Sequence, residues 1–164
     1  MGRLSQPQEP ASPESEVERV YRAQGNRLWW AMLGFCGDRE VASDVVAETF
    51  AQALRRGSQI RSLERWVWRA AFRIAAGELR IRRAMDPLTE AGSYEMPEPA
   101  RELSDALRRL SRRQRQAIVL HYLGDYPVRE IATIIGSSTA AVKVHLSQGR
   151  KRLRKVLEEQ DVRP

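Results

Sequence analysis

At 164 residues, 42% of them apolar and only one a cysteine, the chain can bury modest helical cores but cannot form an intrachain disulfide or a cysteine-rich zinc site. Its net charge of +7 points to a polyanionic partner. No apolar run nears the roughly eighteen residues of a membrane-spanning helix, so the cytoplasm is the expected compartment.

The charge is unevenly placed. Residues 1–54 carry a net −3, residues 55–83 a net +7, residues 84–100 a net −4 and residues 101–164 a net +7. Two basic blocks around an acidic spacer predict two small domains that grip a polyanion at two places. Residues 1–16, polar and proline-rich, predict a disordered leader.

A first helix is expected over Val17–Phe35, with Val17, Val20, Tyr21, Leu28, Met32 and Phe35 in helical phase and Gly34 and Gly37 about its end. Asp38 is placed to cap a second helix reaching Arg56, closed by Gly57. Its apolar side is Val41, Val45, Val46, Phe50, Ala53 and Leu54, while Asp44 and Glu48 lie one turn apart on the surface. After a short loop through Ile60 and Arg61, Ser62 is placed to cap a third helix over Leu63–Arg83. Trp66, Ala70, Ile74, Gly77 and Ile81 make one stripe of it, and Arg65, Arg69, Arg73, Arg80 and Arg83 gather beside them. Aromatic rings beside an arginine row suit melted nucleic acid, where bases stack and guanidiniums hold the backbone. Trp66, Trp68 and Phe72 equally suit a helical core.

Residues 84–100 hold three prolines, a glycine and four acids without periodicity, which predicts a linker. A helix follows over Arg101–Leu110. Ser111 with Gln114 three residues on is a capping-box signature opening Arg112–Tyr122. Pro127, expected at a first helical position, starts a short helix over Val128–Ile135 that Gly136 ends. Ser138 can cap the last helix, in which Val142, Leu146, Gly149 and Leu153 form the apolar stripe. The opposite face carries Ala140, Val144, Ser147 and Lys151, flanked by Lys143 and Gln148. Short side chains at its start suit base edges in a major groove, and Arg150, Lys151, Arg152, Arg154 and Lys155 suit phosphates further along. A solvated basic face is the plainer reading of the same pattern. No strand pattern of useful length occurs, so the fold class is all-α.

These segments resemble the extracytoplasmic-function sigma factors, the smallest bacterial type, built from sigma regions two and four. Ala42–Arg56 resembles the family's polymerase-binding helix, Arg65–Arg83 its promoter-melting helix, and Leu110–Arg154 its region four, the last through Arg115, Leu120, Glu130, Ile131, Ala132, Gly136, Val142, Lys143 and Leu153. The resemblance implies a sigma factor that binds core RNA polymerase through its β′ and β subunits and directs promoter-specific initiation. Region two would span 17–83 and region four 101–158, with the acidic linker 84–100 between them and a tail at 159–164. Asp44, Glu48 and Phe50 would meet polymerase. Ile60, Arg61, Arg65, Trp66, Arg69, Arg73 and Arg80 would take the minus-ten element. Arg115, Ser138, Thr139, Ala140, Lys143, Val144, Ser147, Gln148, Arg150 and Lys151 would take the minus-thirty-five element.

Promoter DNA and an anti-sigma factor are the further partners so implied, with the nucleoid as the place of action. Ala47, Arg73, Gly77, Val144 and His145 depart from the family's usual residues, so the promoter sequence cannot be carried over. No catalysis, cofactor or metal is expected: the chain has two histidines, no glycine-rich phosphate loop and no convergent nucleophile and base. A conventional dimeric helix-turn-helix regulator, binding duplex DNA without polymerase, is the alternative reading.

Overall fold

The computed structural model describes residues 13–85 and 98–161, so the linker core at 86–97, most of the expected leader and the last tail residues lie outside the described residues. The described chain is helical: α1 (Pro13–Cys36), α2 (Arg39–Arg56), a 3-10 turn (Gly57–Gln59), α3 (Leu63–Met85), α4 (Glu98–Arg108), α5 (Arg112–Tyr122), α6 (Val128–Ile135) and α7 (Thr139–Asp161). Among the described residues there is no strand.

Local chemistry sets most of the boundaries. The Asp38 carboxylate accepts from Val41 N at 3.0 Å to open α2. Ser111 and Gln114 form the reciprocal capping box at α5, each satisfying the other's main-chain N–H. Gly136, at φ 64° and ψ 51°, takes the left-handed conformation that ends α6. Ser138 Oγ then accepts from Ala141 N at 3.1 Å to start α7. Two expectations are corrected. Pro127 stands one position earlier, at the extended N-cap with ψ 157°, and Ser62 closes the first turn of α3 with its carbonyl, accepting from Trp66 N at 3.0 Å.

α1, α2 and α3 pack as a three-helix unit that buries Val20, Leu28, Met32, Val41, Val45, Val67 and Trp68. α5, α6 and α7 form the second, burying Leu120, Ile131, Val142 and Leu146. Gly149 lets α7 press on α5: a Cβ there would stand 2.9 Å from Ile118 Cγ1. On α3 the expected stripe is corrected. Leu63, Val67, Ala71 and Ala75, with Trp68 and Phe72, face the core; of the expected stripe Ala70 is buried and Trp66 and Ile74 pack partly against the core, whereas Ile81 is half exposed.

The two units also share one apolar core. Trp68 meets Tyr126 edge to face with centroids 5.3 Å apart. A Cβ on Gly34 of α1 would touch Leu107 and Leu123 at 3.4 Å. Arg115 Nη1 of α5 donates to Phe35 O of α1 at 2.7 Å, and Arg27 donates to Gly124 O. Arg65 and Glu130 make a two-pronged pair at 2.8 and 2.9 Å. The halves are therefore closed on each other, a docking that the sequence analysis did not foresee.

Cys36 lies in this core, 2% exposed. Burial pushes its thiol up from 9.0 to about 12, with the Arg115 charge opposing. Burial likewise pushes the Tyr126 phenol up from 10.0 to about 12. Both folded values lie above the ordinary ones, so the stability they contribute is intact below about pH 9 and drains away as pH rises towards 12. An aromatic disulfide reagent should leave Cys36 unlabelled at neutral pH until denaturant is added, and the denaturant midpoint should fall on the alkaline side. Immediate labelling of the native protein would contradict this burial.

Candidate nucleic-acid and polymerase interface

α6, the Gly136 turn and α7 form a helix-turn-helix in which α6 is held from below by α5, Arg113 Nη1 donating to Ile135 O at 2.9 Å. Val142, Leu146 and Gly149 turn inward, so Ala140, Lys143, Val144, Ser147, Gln148, Arg150 and Lys151 all face solvent, together with Ser138 and Thr139 at the start of α7. Val144 is apolar yet half exposed. Gln148 accepts from Gln114 at 3.2 Å, which steadies it beside the strip. Arg115 leaves this set. It is buried in the seam between the halves, donating to the carbonyls of Phe35, Arg108 and Leu110, because α5 turns that residue towards α1 and away from the exposed face of α7.

The loop before α3 and the first turns of α3 gather Ile60, Arg61, Arg65, Trp66 and Arg69 around a cleft of about 320 Å³. Thr133 and Ile134 of α6 form its other wall. The Arg56 guanidinium lies 5.6 Å from the Trp66 ring centroid, a cation–π contact that orients the ring. Arg65 is engaged by Glu130 in this closed arrangement. Arg73 and Arg80 stand apart from these, further along α3, in a second cleft. Trp68 and Phe72 are core residues, so only Trp66 remains as an aromatic platform.

On α2, Asp44 is exposed and Glu48 part-exposed. The Gln52 amide, then the Arg55 guanidinium, each 2.8 Å away, hold the Glu48 carboxyl below the usual carboxylate range. Phe50 is a correction: it is buried and packs edge-on against Tyr21 at 5.0 Å, leaving no surface for a partner. Leu54, expected on the apolar side of α2, is instead exposed, and the sequence reading passed over exposed Trp30 on α1. Trp30 stacks edge-on with Trp29, whose indole donates to Ser43, next to Asp44. Apolar periodicity alone does not tell an outward tryptophan from a core one.

Residues 100–153 match the family model described as sigma-70 region 4. The whole chain is similar to curated sigma factors. It is 27% identical over 165 residues to the ECF RNA polymerase sigma factor SigL of Mycobacterium tuberculosis, covering 91% of this chain and 93% of the relative. It is 27% identical over 159 residues to the RNA polymerase sigma factor CarQ of Myxococcus xanthus, covering 89% and 91%. Similarity to extracytoplasmic-function sigma factors thus runs through about nine-tenths of the chain, with the sigma-70 region 4 match at residues 100–153. Its fold agrees with that of RpoE from Bartonella quintana, solved with the anti-sigma factor NepR, at a TM-score of 0.76 and 21% identity over 88% of this chain and 96% of that one. It also agrees with CnrH, solved with the cytosolic domain of CnrY, at 0.72 and 21% over 89% and 90%.

A sigma factor binds core RNA polymerase and promoter DNA and directs promoter-specific initiation of transcription; sigma factors in general are not enzymes. No group of three or more His, Cys, Asp or Glu side chains that could hold a metal occurs among the described residues. No helix of the described residues is long and apolar enough to cross a membrane.

Proposed function

We propose that this sigma factor works as two grips on one polymerase, region two being 17–83 and region four 101–158, and that it catalyses nothing itself. The observation that carries this is the exposed strip of α7, small and neutral at Ala140, Val144 and Ser147 and cationic from Arg150 onward. In this reading α7 enters the major groove of the minus-thirty-five element. Ile60, Arg61, Arg65, Trp66 and Arg69 capture the opened minus-ten strand, and Asp44 and Glu48 meet polymerase. The cytoplasm, at the nucleoid, is the site of action. An anti-sigma factor is a further partner, supported by the fold shared with the sigma factor RpoE, solved with the anti-sigma factor NepR.

The closed arrangement bears on the mechanism. Two elements about twenty-five base pairs apart are separated by roughly 85 Å of duplex. A compact chain of this length has a radius of gyration of about 15 Å. The halves must part before both elements are held. Opening would also release Arg65 from Glu130 and uncover the cleft around Trp66. Free protein should therefore bind promoter DNA poorly and holoenzyme well, because the second contact gains effective concentration once polymerase holds both domains.

For the groove helix, a bulky residue at Val144 or Ser147→Ala should change which minus-thirty-five sequence is selected, at roughly 1–3 kcal/mol per contact. Arg150→Ala and Lys151→Ala should weaken all sequences alike and lower the salt slope. A randomised-promoter selection reads both effects, and an unchanged preference with Val144 and Ser147 both replaced would move recognition off this face.

A further inference from the structure

Between the second half of α3 and the α4–α5 pair lies a cleft of about 570 Å³, within the range of roughly 300–1,000 Å³ that holds small ligands. Arg73, Arg80, Arg83, Arg108, Arg112 and Arg115 line it, and no acid does. Arg108 is paired with Asp105 at 2.7 Å, and Arg73 reaches Gln52 only at 3.4 Å. Arg80, Arg83 and Arg112 make no hydrogen bond or ion pair to a described residue. Arg115 is more than nine-tenths buried and its Nε has no acceptor. Burial, and after it the Arg83 charge, push the Arg115 pKa down, so this guanidinium feels its cationic neighbours. Such a cluster persists because the shared apolar core holds the halves together, and its unmet need is negative charge.

We propose that this cleft binds a short linear oligophosphate, inorganic or carried on a nucleoside, which ties α3 to α4 and α5. Guanidinium forks match phosphate oxygens two at a time. Several forks converging on one space match phosphates joined directly to each other, whereas a phosphodiester strand spreads its charges further apart. Both halves build the cleft, so a ligand that needs it binds the closed form alone and shifts the population towards it. By holding the halves closed it would also keep Arg65 paired with Glu130. The oligophosphate would thus restrain promoter opening, a consequence that rests on the proposed function; the binding itself does not.

The test is calorimetric titration of the full chain at fixed ionic strength with inorganic tripolyphosphate, and separately with ATP. One anion should bind per chain. Arg83→Ala and Arg112→Ala, both at exposed positions, should each weaken binding about tenfold or more, the loss of one charge-assisted contact. Arg83→Lys and Arg112→Lys should recover part of it. Arg22→Ala, on the exposed side of α1, should change nothing. Tighter ATP assigns a nucleoside-borne ligand, and tighter tripolyphosphate an inorganic one. Sulfate binding as tightly as tripolyphosphate, affinity unmoved by both alanine variants, or a single-stranded oligonucleotide displacing tripolyphosphate at lower concentration would overturn the proposal. None of these outcomes touches polymerase-dependent transcription, so the sigma-factor reading stands or falls separately.

Discussion

Trp68→Ala is expected to cost the fold about 3–5 kcal/mol, enough to leave little of a small domain's stability. The ring is fully buried, its indole donates to Gln24 of α1 at 2.7 Å, and its edge meets Tyr126 from the other half. One side chain thus fastens α3 to α1 and one half of the chain to the other. Trp68→Phe keeps most of the packing but leaves the Gln24 oxygen without its donor, which should cost about 1–3 kcal/mol. Equilibrium denaturation of the three proteins reads the series. A Trp68→Ala protein as stable as the parent but unable to hold melted DNA would return Trp68 to the role of a base platform.

Reversing charge at Asp44 and Glu48 together, as Asp44→Lys with Glu48→Lys, is expected to weaken core polymerase binding on the order of a hundredfold while the melting temperature barely moves. Like charges forced together across a complementary interface are penalised heavily, whereas exposed ion pairs such as Glu48 with Arg55 contribute little to folding. Melting and pull-down can be read on one sample. A double reversal that still co-purifies with polymerase at moderate salt would put the interface elsewhere, with exposed Leu54 and Trp30 the next residues to replace.

What was legible in the sequence was local. The Ser111 and Gln114 capping box, Gly136 and Ser138 announce their helix ends because a cap is decided within four residues. The inward and outward faces of α7 followed from a clean apolar repeat, and the seven exposed positions from Ala140 to Lys151 lie where that repeat puts them. On α3 the repeat misled. Its true core face runs through Ala71 and Ala75, whose small side chains signal little, while Trp66 and Ile74 make a neighbouring stripe look stronger. The docking of the halves was hidden altogether. It joins residues tens of positions apart, such as Trp68 with Tyr126 and Arg27 with Gly124, and nothing periodic marks such pairs. For the same reason Arg115 read as a DNA contact: its family match concerns residue type, and only the packing of α5 on α1 shows where the guanidinium goes.

The most direct measurement combines the purified chain with core RNA polymerase on a genomic promoter library and maps unpaired thymines by permanganate on the templates that are transcribed. The account predicts core-dependent transcripts with an opened minus-ten segment, opening lost in Arg69→Ala with duplex binding by α7 retained, and weak promoter binding by the protein alone. No transcript from any template, with discrete palindromes protected by the free protein, would contradict it.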